Sequence, residues 1–164
     1  MTLDSSPGRD YPGHKVHIEI TVSALETREP TARYGRAAVS PQAMAAAGLR
    51  AFERIAAAWG LSVDEQRALL GDPPRSTFFA WRKQPERAQL PRDTLERLSL
   101  LLGIWKGLEI LLPQPAAADT WVRQPNTAPG FGGRSALQRM LAGNVADLLF
   151  VRRHLDSVRG GGWS

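Results

Sequence analysis

The sequence contains no cysteine. That excludes a disulfide framework, a thiolate nucleophile and thiolate-bound zinc, and it suits a reducing cytoplasm. Histidine is scarce: His14, His17 and His154 are the three in 164 residues. They form no metal-spaced ligand set and no nucleophile–base arrangement, so the sequence points away from an enzyme and calls for no cofactor. It also lacks a long uncharged apolar run and an N-terminal apolar h-region. Neither a membrane span nor a signal peptide is therefore expected.

Positive charge is plentiful. The formal net charge is +5 and the sequence pI about 10.4, with arginine far outnumbering lysine. A basic balance favours polyanionic partners such as nucleic acid, yet a GC-rich coding sequence also enriches arginine. Charge alone leaves the partner open. The hydrophobic fraction of 43% is ordinary for a chain that buries a core.

The stretch Pro91 to Leu112 organises the rest. Leu95, Leu98, Leu101, Leu102, Trp105, Leu108, Leu111 and Leu112 recur at spacings of three and four, which predicts a helix with a wide apolar stripe. Arg97, Lys106 and Glu109 interrupt it, as no bilayer-spanning helix would allow. Such a helix needs cover from more than one side, so we read it as the spine of two helical units.

Residues 1–40 are rich in Pro, Gly, Ser, Thr and charge and read as a flexible extension. Val16, Ile18, Ile20 and Val22 alternate with polar residues, which suits either a short strand at 15–22 or part of a poorly ordered segment. Ser40-Pro41 then signals a helix start, with Met44, Leu49, Phe52, Ile55 and Ala56 inward and Gly60 as the stop. Ser62 and Glu65 form a capping box before a second helix that ends at Gly71. Asp72-Pro73-Pro74 forces a turn, and a third helix follows in RSTFFAWRKQ. Phe78 or Phe79, with Trp81, can anchor it, leaving Arg75, Ser76, Thr77, Arg82 and Lys83 on an outer face. This is the order of a helix-turn-helix, whose second helix meets DNA through such residues. A plain helical hairpin with solvated basic residues has the same pattern.

After Pro113-Gln114-Pro115 a short helix over 116–124 is expected, with Trp121 inward. The loop NTAPGFGG (126–133) leads into a second capping box, Ser135 with Gln138. Asn144 opens a last helix with Val145, Leu148, Leu149, Val151, Leu155 and Val158 as its inner stripe. The glycine-rich loop could cradle an anion, or simply let two helices approach; it carries no phosphate-binding fingerprint. His154 reads as a surface or packing residue.

From about Phe52 to Arg159 these pieces, taken in order, resemble the MbcA/ParS/Xre antitoxin family. The resemblance rests on LERLSLLLGIWKGLEILLP, Trp121, Pro125-Asn126, GGRSALQRMLAG and VADLLFVRRHLD. It implies an all-α protein with a DNA-binding and dimerising helix-turn-helix region at 41–112 and a toxin-binding domain at 113–164. It further implies a homodimer, a cognate RES-domain toxin that consumes NAD⁺, and repression of the protein's own operator DNA. Trp121, Pro125, Asn126, Gly132, Gly133 and Arg134 match the toxin-binding signature. Asn126, Arg134, Arg152, Arg153 and the tail residue Trp163 are the expected toxin contacts. A stand-alone helix-turn-helix regulator and a toxin-binding module without DNA binding are the alternative readings. The first forty residues and the stiff Asp72-Pro73-Pro74 turn depart from the family pattern.

Overall fold

The computed structural model describes residues 40–160. The expected N-terminal extension, the strand at 15–22 and Trp163 lie outside the described residues. Within them every regular element is a helix, apart from one isolated bridge between Pro125 and Ser135. The all-α expectation holds.

Helix α1 spans Pro41–Ala58. The Ser40 hydroxyl accepts the Ala43 N–H at 3.1 Å, and Pro41 pre-sets the first turn. At the far end Leu61 N–H reaches back to Ala56 O at 2.9 Å around Gly60, whose φ of +60° closes the helix. Helix α2, Val63–Leu69, starts in the expected capping box: Ser62 N–H bonds Glu65 at 2.8 Å while Glu65 N–H bonds the Ser62 hydroxyl at 3.2 Å.

The turn into helix α3, Arg75–Lys83, is tied from several sides. Arg67 donates to Pro73 O at 2.8 Å and pairs with Asp72 at 2.7 Å. The Thr94 hydroxyl donates to Leu70 O at 3.1 Å. Gly71, at φ +92°, leaves no room for a side chain, since a Cβ there would stand 2.8 Å from the Asp93 carboxylate. Of the two candidate anchors in α3, Phe78 is the one buried, together with Trp81, while Phe79 is 44% exposed.

A 3₁₀ turn at Pro85–Arg87 leads to helix α4, Arg92–Leu111. Its buried side carries Leu98, Leu101, Ile104 and Leu108, each of which stabilises by about 1.5–3 kcal/mol on leaving water. One flank of α4 packs on α1, and Trp59 meets Trp105 at 6.0 Å. The other flank receives helix α7, Val145–Arg159. Gly103 and Gly107 let α7 come close: a side chain at Gly103 would occupy the Arg152 guanidinium, and one at Gly107 would touch Leu155. The spine is thus shared by the two sides, within one continuous core.

Four expectations about facing need correction. Met44 is 63% exposed and Leu95 41% exposed, because the groove beside them is bounded by α1 and α4 alone among the described residues. Val158 is 54% exposed, as is Ile110 at 47%; both lie in last turns, where the helices run out of mutual cover. Arg97, read as an interruption of the spine, is buried: it pairs with Asp93 at 2.7 Å and donates to Gly143 O at 3.0 Å.

Helices α5, Pro115–Trp121, and α6, Ala136–Met140, complete the fold. The Ser135–Gln138 capping box forms as expected. Leu137 N–H bonds Val122 O at 2.8 Å, which fixes α6 against the end of α5.

Candidate functional site

Two surfaces carry the chemistry. On α3, Ser76, Phe79, Ala80 and Lys83 are exposed and follow the spacing of one helix face, opposite the buried Phe78 and Trp81. Thr77 is half-buried. Arg75 pairs with Asp64 at 3.0 Å, and Arg82 with Glu53 at 3.3 Å while lying 5.7 Å from the Phe78 ring centre. These pairs are exposed and therefore weak, about 0–1 kcal/mol, so a phosphate can displace either carboxylate. Lys83 has no ion pair among the described residues. No side chain caps the start of α3 at Pro74.

The second surface lies where α7 meets the glycine-rich loop. Asn126 shapes that loop: its Oδ1 accepts Ala128 N–H at 2.9 Å, and its backbone carbonyl accepts Gly133 N–H at 3.1 Å. The loop drives Phe131 fully into the core. Phe131 meets Phe150 edge-on at 5.2 Å and His154 at 5.0 Å, and His154 stacks on Trp121 at 6.4 Å. Arg139 covers the Phe150 face at 3.8 Å, pairs with Asp147 at 3.2 Å and donates to Gly130 O. The result is an open groove of about 610 Å³ lined by Arg139, Leu149, Phe150, Arg153 and His154, among others. Burial holds the His154 imidazole below its ordinary pKa, so it is neutral at neutral pH.

The sequence-predicted contacts divide on this map. Arg153 is exposed and lines the groove. Arg152 turns the other way, over Gly103, and pairs with Asp156 at 2.9 Å. Arg134 is exposed at the loop, while Asn126 is half-buried. Phe150, Arg139 and His154 were not among the expected contacts. Their grouping joins a loop and two helices, so no local spacing signals it.

Known families match both segments of the chain. A model described as "Antitoxin Xre-like helix-turn-helix domain" covers residues 38–103, and "Antitoxin Xre/MbcA/ParS C-terminal toxin-binding domain" covers residues 107–161. A Sinorhizobium fredii protein, "Uncharacterized protein y4oB", is 50% identical over 127 residues, which are 77% of this chain and 95% of that relative. The chain belongs to the Xre/MbcA/ParS antitoxin family. It is an antitoxin with a helix-turn-helix and a toxin-binding domain, regulatory and not catalytic in kind. The two matches meet inside α4, so this antitoxin's spine is divided between them. No helix of the described residues is long and apolar enough to cross a membrane.

Proposed function

We propose that this antitoxin blocks a RES-domain, NAD-consuming toxin through the α7 groove in its C-terminal part (113–164) and represses its own operon through α3, within residues 41–112. The observation that carries the first half is the groove itself: an aromatic floor of Phe150 and His154 with Arg153 at its edge, inside the region matched to a toxin-binding domain. A toxin pocket built for dinucleotide phosphates is basic, so Arg153 and Arg134 meet acidic groups on its rim and do not enter it. The RES type of the toxin is the usual one in the family that Leu95–Pro113 and Gly132–Gly143 resemble, and that resemblance is what supports it here.

Operator recognition is supported by the exposed polar and basic face of α3 within the helix-turn-helix match. Such modules bind paired half-sites as dimers, and the apolar groove holding Met44 and Leu95 is a surface among the described residues that suits a second copy. A toxin-binding module without DNA binding is the second reading, favoured by the carboxylates that hold Arg75 and Arg82.

The test is co-expression of the adjacent reading frame with and without this chain, scoring growth and cellular NAD⁺. The expected result is growth arrest and NAD⁺ loss from the neighbour alone, both reversed by the chain. Arrest with NAD⁺ intact would leave an antitoxin of another toxin class. Arrest without rescue would remove this pairing.

A further inference from the structure

We propose that Phe79 reads a thymine methyl group in the major groove and is the apolar specificity contact of α3. The inference rests on the DNA-binding reading of that helix and adds the base class it recognises. Phe79 is one of five large apolar side chains exposed among the described residues. Three of the others, Met44, Leu95 and Ile110, are on α1 and α4, and Val158 is on α7. Phe79 alone stands on the face that carries Ser76, Ala80 and Lys83.

Its position follows from its neighbour. Phe78 is buried, so the next residue along the helix is turned about 100° away, out of the core. The two rings still meet edge to face at 5.5 Å. That contact restrains the Phe79 side chain, so little rotamer freedom remains to be lost when DNA arrives. Ala80 beside it is small enough to let the backbone approach base edges, and Ser76 and Lys83 flank it with a hydroxyl and an ammonium for phosphate. The major groove offers an aromatic ring one apolar feature, the C5-methyl of thymine, and Phe is among the side chains that contact it. Arg75 and Arg82 stand in the first and last turns of α3, beside Asp64 and Glu53, which leaves the centre of the face to the aromatic ring.

The probe is the duplex immediately upstream of the chain's own reading frame, titrated with the full-length chain. Each thymine in the protected region is replaced singly by deoxyuridine, which lacks only the methyl. Wild type is expected to lose about fourfold in affinity at one position per half-site, the value of one methyl group withdrawn from water. Phe79→Ala should bind the unmodified duplex more weakly by a similar factor and be indifferent to uracil at that position. Its salt slope should match wild type, because no phosphate contact is lost. Phe79→Leu, which keeps an apolar tip, should retain part of the thymine preference.

Sensitivity to uracil that persists in Phe79→Ala would overturn the proposal, as would wild-type affinity in that variant. A weaker Phe79→Ala that has also become monomeric by sedimentation would assign the residue to subunit contact instead. If wild type binds this duplex no better than a scrambled one, the DNA reading itself fails and the assignment of Phe79 falls with it.

Discussion

The Nε of Arg123 donates to the carbonyl of Trp59 at 2.9 Å, across 64 residues of chain. Its Nη2 donates to Gly60 O at 2.9 Å and approaches Glu65 at 3.4 Å. One side chain following α5 thus satisfies carbonyls at the end of α1, where a cation also complements the helix dipole. Through Glu65 it touches the capping box that opens α2. Removing it orphans acceptors in the helix-turn-helix part of the chain. Arg123→Ala should lower unfolding stability by about 1–2 kcal/mol, with Arg123→Lys recovering part of the loss. Urea denaturation measures both.

Glu65 gives this junction a pH dependence. Burial would raise its pKa, but the Ser62 N–H and the Arg123 guanidinium together outweigh that, and the net shift is downward. A folded value below the unfolded one means stability that is present above the ordinary carboxylate range and lost as pH falls through the folded value. Urea midpoints taken between about pH 5 and pH 3 should fall less steeply in Glu65→Gln than in wild type. Equal slopes would show that other carboxylates carry the acid limb.

His154 acts in a separate window. Burial depresses its pKa, so the unfolded chain binds the proton more readily. The stabilising contribution is complete above the unfolded value of about 6.5 and declines as pH drops toward the folded value. Melting midpoints at about pH 7.5 and 5.5 should differ more for wild type than for His154→Phe, which keeps the stack on Trp121 without the titration.

The groove is tested by shape and by charge. At Gly130 a Cβ would stand 2.5 Å from the Phe150 ring, at a φ of +88° that favours glycine. Gly130→Ala should therefore displace Phe150, destabilise by about 1–3 kcal/mol and weaken toxin inhibition. Arg153→Glu is exposed, so it should leave the melting midpoint within a few degrees while lowering toxin affinity about tenfold or more. Unchanged inhibition in both variants would place toxin contact elsewhere.

If α3 meets DNA as proposed, Arg75→Ala combined with Arg82→Ala should reduce the magnitude of the salt slope of operator binding by about 1–2. Operator affinity and salt slope both unchanged would overturn the assignment of this helix to DNA.

What could be read from the sequence was what is local. The caps at Ser40, Ser62–Glu65 and Ser135–Gln138 involve residues three apart, and all form. The spine announced itself through leucine spacing. Periodicity tells which way a residue faces but not how far its covering helix extends, hence the misplacement of Met44 and Val158. It cannot choose between adjacent rings either, so Phe78 and Phe79 were separable only in three dimensions. Arg97 and Arg123 reach carbonyls 46 and 64 residues away, and nothing in the local pattern of charge marks them as structural. The Phe150–Arg139–His154 grouping is equally non-local.

The shared α4 has a consequence for how the antitoxin would respond to cleavage. A protease cut in the Pro113-Gln114-Pro115 segment would leave α7 held by packing and by the few hydrogen bonds of Arg97 and Arg123 that cross the link, and its departure would bare Leu101, Ile104 and Leu108 to water. The helix-turn-helix fragment would then be an aggregation-prone remnant, not a lasting repressor. On the proposed function, a cut at that one exposed link would end toxin inhibition and promoter control together.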